Sequence, residues 1–156
     1  MRLALFQPDI PQNTGTILRT AACLGVAVDI IGPAGFDISD KALRRAAMDY
    51  IDRAVITHHV SWQAFIESRS DSPGRLILLT TQAPTPFTGI DFRPDDVLLL
   101  GRESAGAPDA VHEAVDERVR IPVKAGLRSL NVAIAAAIVL AEAMRQTGAF
   151  EGDHLL

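Results

Sequence analysis

Three short stretches hold most of the residues that could do chemistry. The first runs from Gln7-Pro8-Asp9-Ile10-Pro11 through Asn13 to Arg19. The second is Leu100-Gly101-Arg102-Glu103-Ser104-Ala105-Gly106-Ala107-Pro108. The third is Ile121-Pro122 followed by Arg128-Ser129-Leu130-Asn131-Val132. Arginine is a permanent cation with five N–H donors, so Arg19 suits an anionic oxygen, with a solvated surface arginine as the alternative. Asn13 carries a donor and an acceptor and could orient a hydroxyl. Glu103 sets a carboxylate beside a turn, with pairing to Arg102 or Arg19 as its other use. Ser129 and Asn131 stand where a helix begins, and capping and ligand contact are both open to them.

Other chemistries lack their frameworks. Ser129 has no G-x-S-x-G elbow around it. No G-x-G-x-x-G follows the first strand, and there is no G-x-x-x-x-G-K-[ST] loop. His58-His59 has no further ligands at zinc spacing, so no metal site is expected. A single cysteine, Cys23, excludes an internal disulfide framework and fits a reducing cytoplasm; its place on a helix pattern predicts a buried or half-buried filler. The formal net charge of −4 argues against a generally basic surface, so the positions of the bases matter more than their sum. Lys41, Arg44 and Arg45 lie within five residues, and Lys124 and Arg128 flank the third stretch. Arg44, Arg45, Lys124 and Arg128 are therefore candidate phosphate contacts, with solvated surface charge as the alternative.

The elements that must position these groups alternate between strand and helix, predicting an α/β domain with a mostly parallel sheet and helices on both faces. Strands are expected at Arg2–Phe6, Val26–Ile31, Ala54–His58, Leu76–Leu79, Val97–Leu100 and Val119–Val123. Helices are expected at Thr16–Leu24, capped by Asn13 or Thr14 and closed by Gly25, and after Ser39-Asp40, after Ser61, over Pro108–Val115 and over Leu130–Gln146. Gln82–Pro94, broken by prolines, is expected to be irregular. At 156 residues the chain is expected to be one domain over 1–156, with a frayed tail from 150 to 156. Its longest apolar run, Val132–Ala141, is too short to span a bilayer, and no signal-peptide pattern opens the chain, so a cytoplasmic protein is expected.

Strand ends running into turns are where open α/β sheets bind ligands, because backbone groups there lack sheet partners. Three such junctions lie close together, and one pocket built largely from main chain is expected. The helix 132–144 is apolar around much of its circumference and carries small Ala135, Ala136 and Ala137. That pattern fits a helix packed against a second copy, with a central core helix as the alternative.

Taken together, the stretches resemble the three signatures of the SPOUT methyltransferases. Gln7-Pro8-x-Ile10-Pro11-x-Asn13-Thr14-Gly15-x-Ile17-x-Arg19 is similar to the first. Leu100-Gly101-x-Glu103-x-x-Gly106-x-Pro108 is similar to the second, and Ile121-Pro122 with Arg128-Ser129-Leu130-Asn131-Val132 to the third. Lys41-x-Leu43-Arg44-Arg45-Ala46, Asp49-Tyr50 and Leu79-Thr80-Thr81 resemble the small single-domain branch that methylates the wobble-nucleotide 2′-hydroxyl of certain leucine tRNAs. The resemblance implies a C-terminal deep trefoil knot that forms the S-adenosylmethionine pocket, and a homodimer sharing its tRNA site. It further implies that Leu79, Thr80, Gly101, Glu103, Gly106, Ile121, Ser129, Leu130 and Asn131 hold the cofactor, while Arg19 and Asn13 act at the ribose. Two positions depart from the pattern. Ala107 stands where leucine is usual, and Ala141 stands where relatives carry an aromatic before the glutamate of the last helix, removing one base-stacking platform.

Overall fold

Side chains alternate across the central strands and so divide the core into two layers. Leu3 and Leu5 of the first strand face one way, toward Ile17, Leu18, Val139 and Leu140. Ala4 and Phe6 face the other way, toward Phe65, Leu78 and Leu99. The computed structural model describes residues 1–37, 41–72 and 74–150. Its elements are β1 (Arg2–Phe6), α1 (Pro11–Cys23), β2 (Ala27–Ile31), α2 (Lys41–Ala47), β3 (Ile56–His59), α3 (Trp62–Ser68), β4 (Leu76–Leu79), β5 (Thr85–Pro86), β6 (Val97–Leu100), α4 (Asp109–Ala114), β7 (Glu117–Arg120) and α5 (Val132–Gln146). Single 3₁₀ turns cover Met48–Asp52 and Phe87–Gly89.

The strands form one sheet in the order β3-β2-β1-β6-β4-β7-β5. Every pairing of these strands is parallel. The central strands β6 and β4 read Val-Leu-Leu-Leu and Leu-Ile-Leu-Leu, the unbroken apolar type that is buried on both faces of a parallel sheet. The chain does not add its strands outward in sequence. It runs to the far edge at β5, returns to place β6 between β1 and β4, and then places β7 between β4 and β5. The carboxyl ends of β4, β6 and β7 are thereby gathered at one side, the α5 start with them.

Several boundaries differ from expectation for local reasons. Helix α1 begins at Pro11, not near Thr16, and Ile10 precedes it without a side-chain cap. Proline tolerates the first helical position because that N–H has no partner in any case. Asn13 and Thr14 thus lie inside the first turn, and Asn13 is not spent on capping. Gly25 does close α1, at φ +67. Strand β7 lies at Glu117–Arg120 rather than 119–123. The proline-rich stretch holds the short β5 and a 3₁₀ turn, because β5 finds a partner in β7. Cys23 is exposed on α1, not a filler. The proposed cap Ser39-Asp40 and the tail beyond Phe150 lie outside the described residues.

Two close contacts lock the elements that carry the site. A side chain at Gly15 would put its Cβ 2.5 Å from the Leu43 carbonyl oxygen and 2.7 Å from Ala46 Cβ, so glycine lets α2 lie directly on α1. On the opposite layer Asp29, only 5% exposed, receives Arg2 Nε at 2.8 Å and Nη2 at 3.0 Å and faces His59 Nε2 at 2.8 Å.

Candidate active site

A cavity of about 520 Å³ opens where β4, β6 and β7 end and α5 begins. Its apolar walls come from Leu79, Leu100, Val119, Ile121, Leu130 and Val132. Its polar groups come from Thr80, Glu103, Ser129 and Asn131, with Asn13 entering from α1. Gly101 and Gly106 lie on the wall as well. All nine residues expected at a cofactor, together with Asn13, therefore border one space. Arg19, Arg44, Arg45, Lys124 and Arg128 do not line it.

The two glycines shape the loop in different ways. Gly106 sits at φ +68, a left-handed turn that side chains disfavour. Arg102 N donates to the Gly106 carbonyl at 3.0 Å, and Gly106 N donates back to Arg102 at 2.8 Å, pinching the loop shut. A Cβ on Gly101 would lie 2.6 Å from the Gly106 carbonyl carbon and 2.7 Å from Ala107 N. The space beside Gly101 is thus filled by the returning loop itself.

A chain of hydrogen bonds ties the three sequence stretches together. Asp9 N donates to Glu103 Oε2 at 3.0 Å, and Glu103 N donates to Asp9 Oδ1 at 3.2 Å. The Ser104 hydroxyl also donates to Asp9 Oδ2. Asn13 Nδ2 donates to Glu103 Oε1 at 3.3 Å, and Asn13 Oδ1 accepts from Asn131 Nδ2 at 2.8 Å. Asn131 Oδ1 in turn accepts from Ala133 N at 2.9 Å and Ile134 N at 3.4 Å, capping α5. Capping and site contact are both carried by Asn131, through opposite ends of one amide. Burial raises the Glu103 carboxyl above its ordinary range, helped by the facing Asp9 side chain. The Asp9 carboxyl is lowered, first by its hydrogen bond with Glu103 and then by Ser104 and backbone donors.

Glu103 pairs with neither arginine considered for it. Arg102 turns to Asp9, its Nε 3.7 Å from Oδ2, and donates to Gln7 Oε1 at 3.4 Å. Arg19, exposed on α1, stacks over Tyr50 with Cζ 5.2 Å from the ring centroid and donates to Met48 Sδ at 3.1 Å. Arg44 and Arg45 are exposed on α2, and Lys124 and Arg128 are exposed between β7 and α5. None of the four has an ion-pair partner among the described residues. Sequence reasoning passed over Asp9, Tyr50 and Met48 as site residues. A carboxylate between two prolines was the available signal for Asp9, and the Asp49-Tyr50 pair was the signal for Tyr50; nothing local marks Met48.

Residues 1–141 match the model of the SpoU rRNA Methylase family. The chain belongs to that family. Among curated SpoU-family relatives, the tRNA (cytidine(34)-2'-O)-methyltransferase of Beijerinckia indica is 58% identical over 147 residues, covering 94% of this chain and 92% of the relative. A solved structure described as giving structural insights into the 2-OH methylation of C/U34 on tRNA superposes with a TM-score of 0.89 at 37% identity, covering 93% of this chain and 94% of that one. The SpoU methyltransferase AviRb from Streptomyces viridochromogenes, solved in complex with the cofactor AdoMet, gives a TM-score of 0.84 at 28% identity. This SpoU-family chain aligns there over 94% of its own length and 60% of that chain.

Proposed function

We propose that this protein transfers a methyl group from S-adenosylmethionine to the ribose 2′-hydroxyl of the wobble nucleotide, cytidine 34 or modified uridine 34, in leucine tRNAs. The observation that carries this reading is the convergence of Asn13, Glu103 and Asn131 on the cavity, with Asp9 bonded to Glu103, supported by relatives that carry the tRNA (cytidine(34)-2'-O)-methyltransferase name.

The residues present suit the cofactor. Leu79, Ile121 and Leu130 offer apolar walls to an adenine, and the strand ends offer main-chain donors and acceptors. Glu103 and Asn13 supply acceptors and a donor at the same cavity, which suits a charged amino-acid moiety and a sulfonium. When bound, the cofactor supplies the electrophilic methyl group. The chain's share is to place a hydroxyl in line with it, a geometric task that accounts for much of such a rate enhancement. Arg19 serves as the cation beside the forming alkoxide and grips an adjacent phosphate, while the hydroxyl proton leaves to solvent. Arg44, Arg45, Lys124 and Arg128 contact phosphates of the tRNA.

The finer reading has three more parts. The interleaved strand order and the pocket at the α5 start support a C-terminal trefoil knot wrapped around the cofactor. Ile134, half exposed, and Ala141, exposed on α5, support a homodimer packed through that helix, and Arg19 lying off the cavity of its own chain supports a tRNA site shared between subunits. The enzyme works in the cytoplasm, where its tRNA substrate is, and uses no metal.

The test is tritiated methyl transfer to bulk tRNA by wild type and Arg19→Ala, with cofactor affinity measured by calorimetry. Activity is expected to fall roughly 100-fold or more while the cofactor Kd stays unchanged. Near-wild-type transfer by Arg19→Ala overturns the role of Arg19, and label entering ribosomal RNA instead of tRNA overturns the substrate.

A further inference from the structure

The geometry points to Tyr50 as a positioning residue that holds the Arg19 guanidinium by its charge while leaving most of its N–H donors available. This inference rests on the role given to Arg19 above. An exposed arginine has freedom about every side-chain bond, and ordering it costs entropy that must be met somewhere. Here the guanidinium carbon lies over the Tyr50 ring, Cζ 5.2 Å from its centroid, within cation–π range. One Nη1 hydrogen is directed to Met48 Sδ, a weak acceptor, at 3.1 Å. No carboxylate among the described residues engages Arg19. A ring holds a cation through its π face and accepts none of its hydrogen bonds in the plane, so with Met48 Sδ as the one acceptor among the described residues most of the five N–H donors stay available to a phosphate or alkoxide oxygen.

The platform is itself held firmly. Tyr50 lies in the 3₁₀ turn Met48–Asp52, and its carbonyl accepts from both Arg53 N at 3.0 Å and Ala54 N at 2.9 Å. The next residue, Ile51, packs against the main core. The turn continues α2, which lies against α1 at Gly15, so ring and guanidinium are carried by two elements in direct contact. Met48 adds an independent sign. Its backbone is left-handed at φ +55 although it is not glycine, and its side chain is 53% exposed. An apolar residue kept in a strained turn and left in solvent beside Arg19 is unfavourable for folding alone, and such outliers gather where geometry serves function.

The experiment compares Tyr50→Leu and Tyr50→Phe with wild type and Arg19→Ala. Readouts are kcat and KM for tRNA, cofactor affinity, thermal stability and the NMR shift of the Arg19 Nε–H, which a ring beneath it moves upfield. Tyr50→Leu is expected to lose the ring-current shift and roughly fivefold or more in kcat, with KM for tRNA within about twofold and cofactor affinity unchanged. Tyr50→Phe keeps the π face and is expected to restore both shift and kcat. Full or increased kcat in Tyr50→Leu, or an equal loss in Tyr50→Phe, overturns the positioning role. Should Tyr50→Leu fail to fold, the wild-type spectrum decides: an unshifted Arg19 Nε–H overturns the stack. If Arg19→Ala is inactive while Tyr50→Leu is not, only this inference falls; if Arg19→Ala is active, the reading of Arg19 falls first and this one with it.

Discussion

Asn131 joins two jobs in one amide, and the two can be separated. Its Oδ1 caps α5 through Ala133 N and Ile134 N, while its Nδ2 donates to Asn13 Oδ1 at 2.8 Å. Serine caps a helix about as well as asparagine but is one atom too short for the second contact. Asn131→Ser should therefore lose only the Asn13 bond, about 1 kcal/mol, and Asn131→Ala should lose about 1 kcal/mol more for the missing cap. In a chain of this length each step corresponds to a melting shift of roughly 2–4 °C. The decisive measurement is a double-mutant cycle by urea unfolding, using Asn13→Ala, Asn131→Ser and the pair. If the two amides act through each other, the pair costs less than the sum of the singles by about 1 kcal/mol. The same coupling should appear in calorimetric cofactor binding, because releasing either amide frees the Glu103 side chain that Asn13 holds. Additivity within about 0.3 kcal/mol in both assays would show that the relay is a coincidence of geometry and refute the reasoning.

Gly101→Ala forces a Cβ into the Gly106–Ala107 backbone, so the loop must open; a stability loss of about 1–3 kcal/mol and a roughly tenfold or greater weakening of cofactor binding are expected, read by thermal melting and calorimetry. A wild-type Kd in that variant would mean the loop does not shape the pocket. Asp29→Asn should destabilise the fold by about 2 kcal/mol near neutral pH, a figure held down because Arg2 is partly exposed and screened. Burial opposes the Asp29 charge, but the bonds from Arg2 and His59 outweigh it, and its carboxyl lies below the ordinary 3.8. Its stabilisation is present above that value and is lost as pH falls through the lower folded one, so the gap between wild type and Asn should be flat from pH 5 to 8 and narrow below about pH 4. A gap that widens in acid would falsify the assignment.

The site was legible where chemistry is written into short-range order. Gln7 to Arg19 and Leu100 to Pro108 announce themselves by prolines and glycines around a few polar residues, and Arg128 to Val132 by three polar side chains just before a long apolar helix pattern. Central strands were also legible, since β1, β4 and β6 occupy the expected residues and their apolar runs suit burial on both faces. Edge elements were less so. Strand β7 has one buried side chain, Val119, and its polar neighbours hide the pattern; β5 is two residues whose only reason to be a strand is β7 beside it. The start of α1 was missed because capping residues within a first turn look like caps, whereas Pro11 had already begun the helix.

Residue types and spacing alone determined that this is a parallel α/β chain with an amide and a carboxylate at strand-to-helix turns and an arginine on the first helix. Local preferences reach only a few residues, and those features are local. What the amides and carboxylate hold was decided by tertiary structure. Asp9 meets Glu103 across 94 positions of chain and Asn13 meets Asn131 across 118, distances over which no propensity speaks. The return of β6 between β1 and β4 brings these partners together. The setting of Arg19 on Tyr50 is equally a product of two helices pressed together at Gly15, a contact that exists only once the chain has folded.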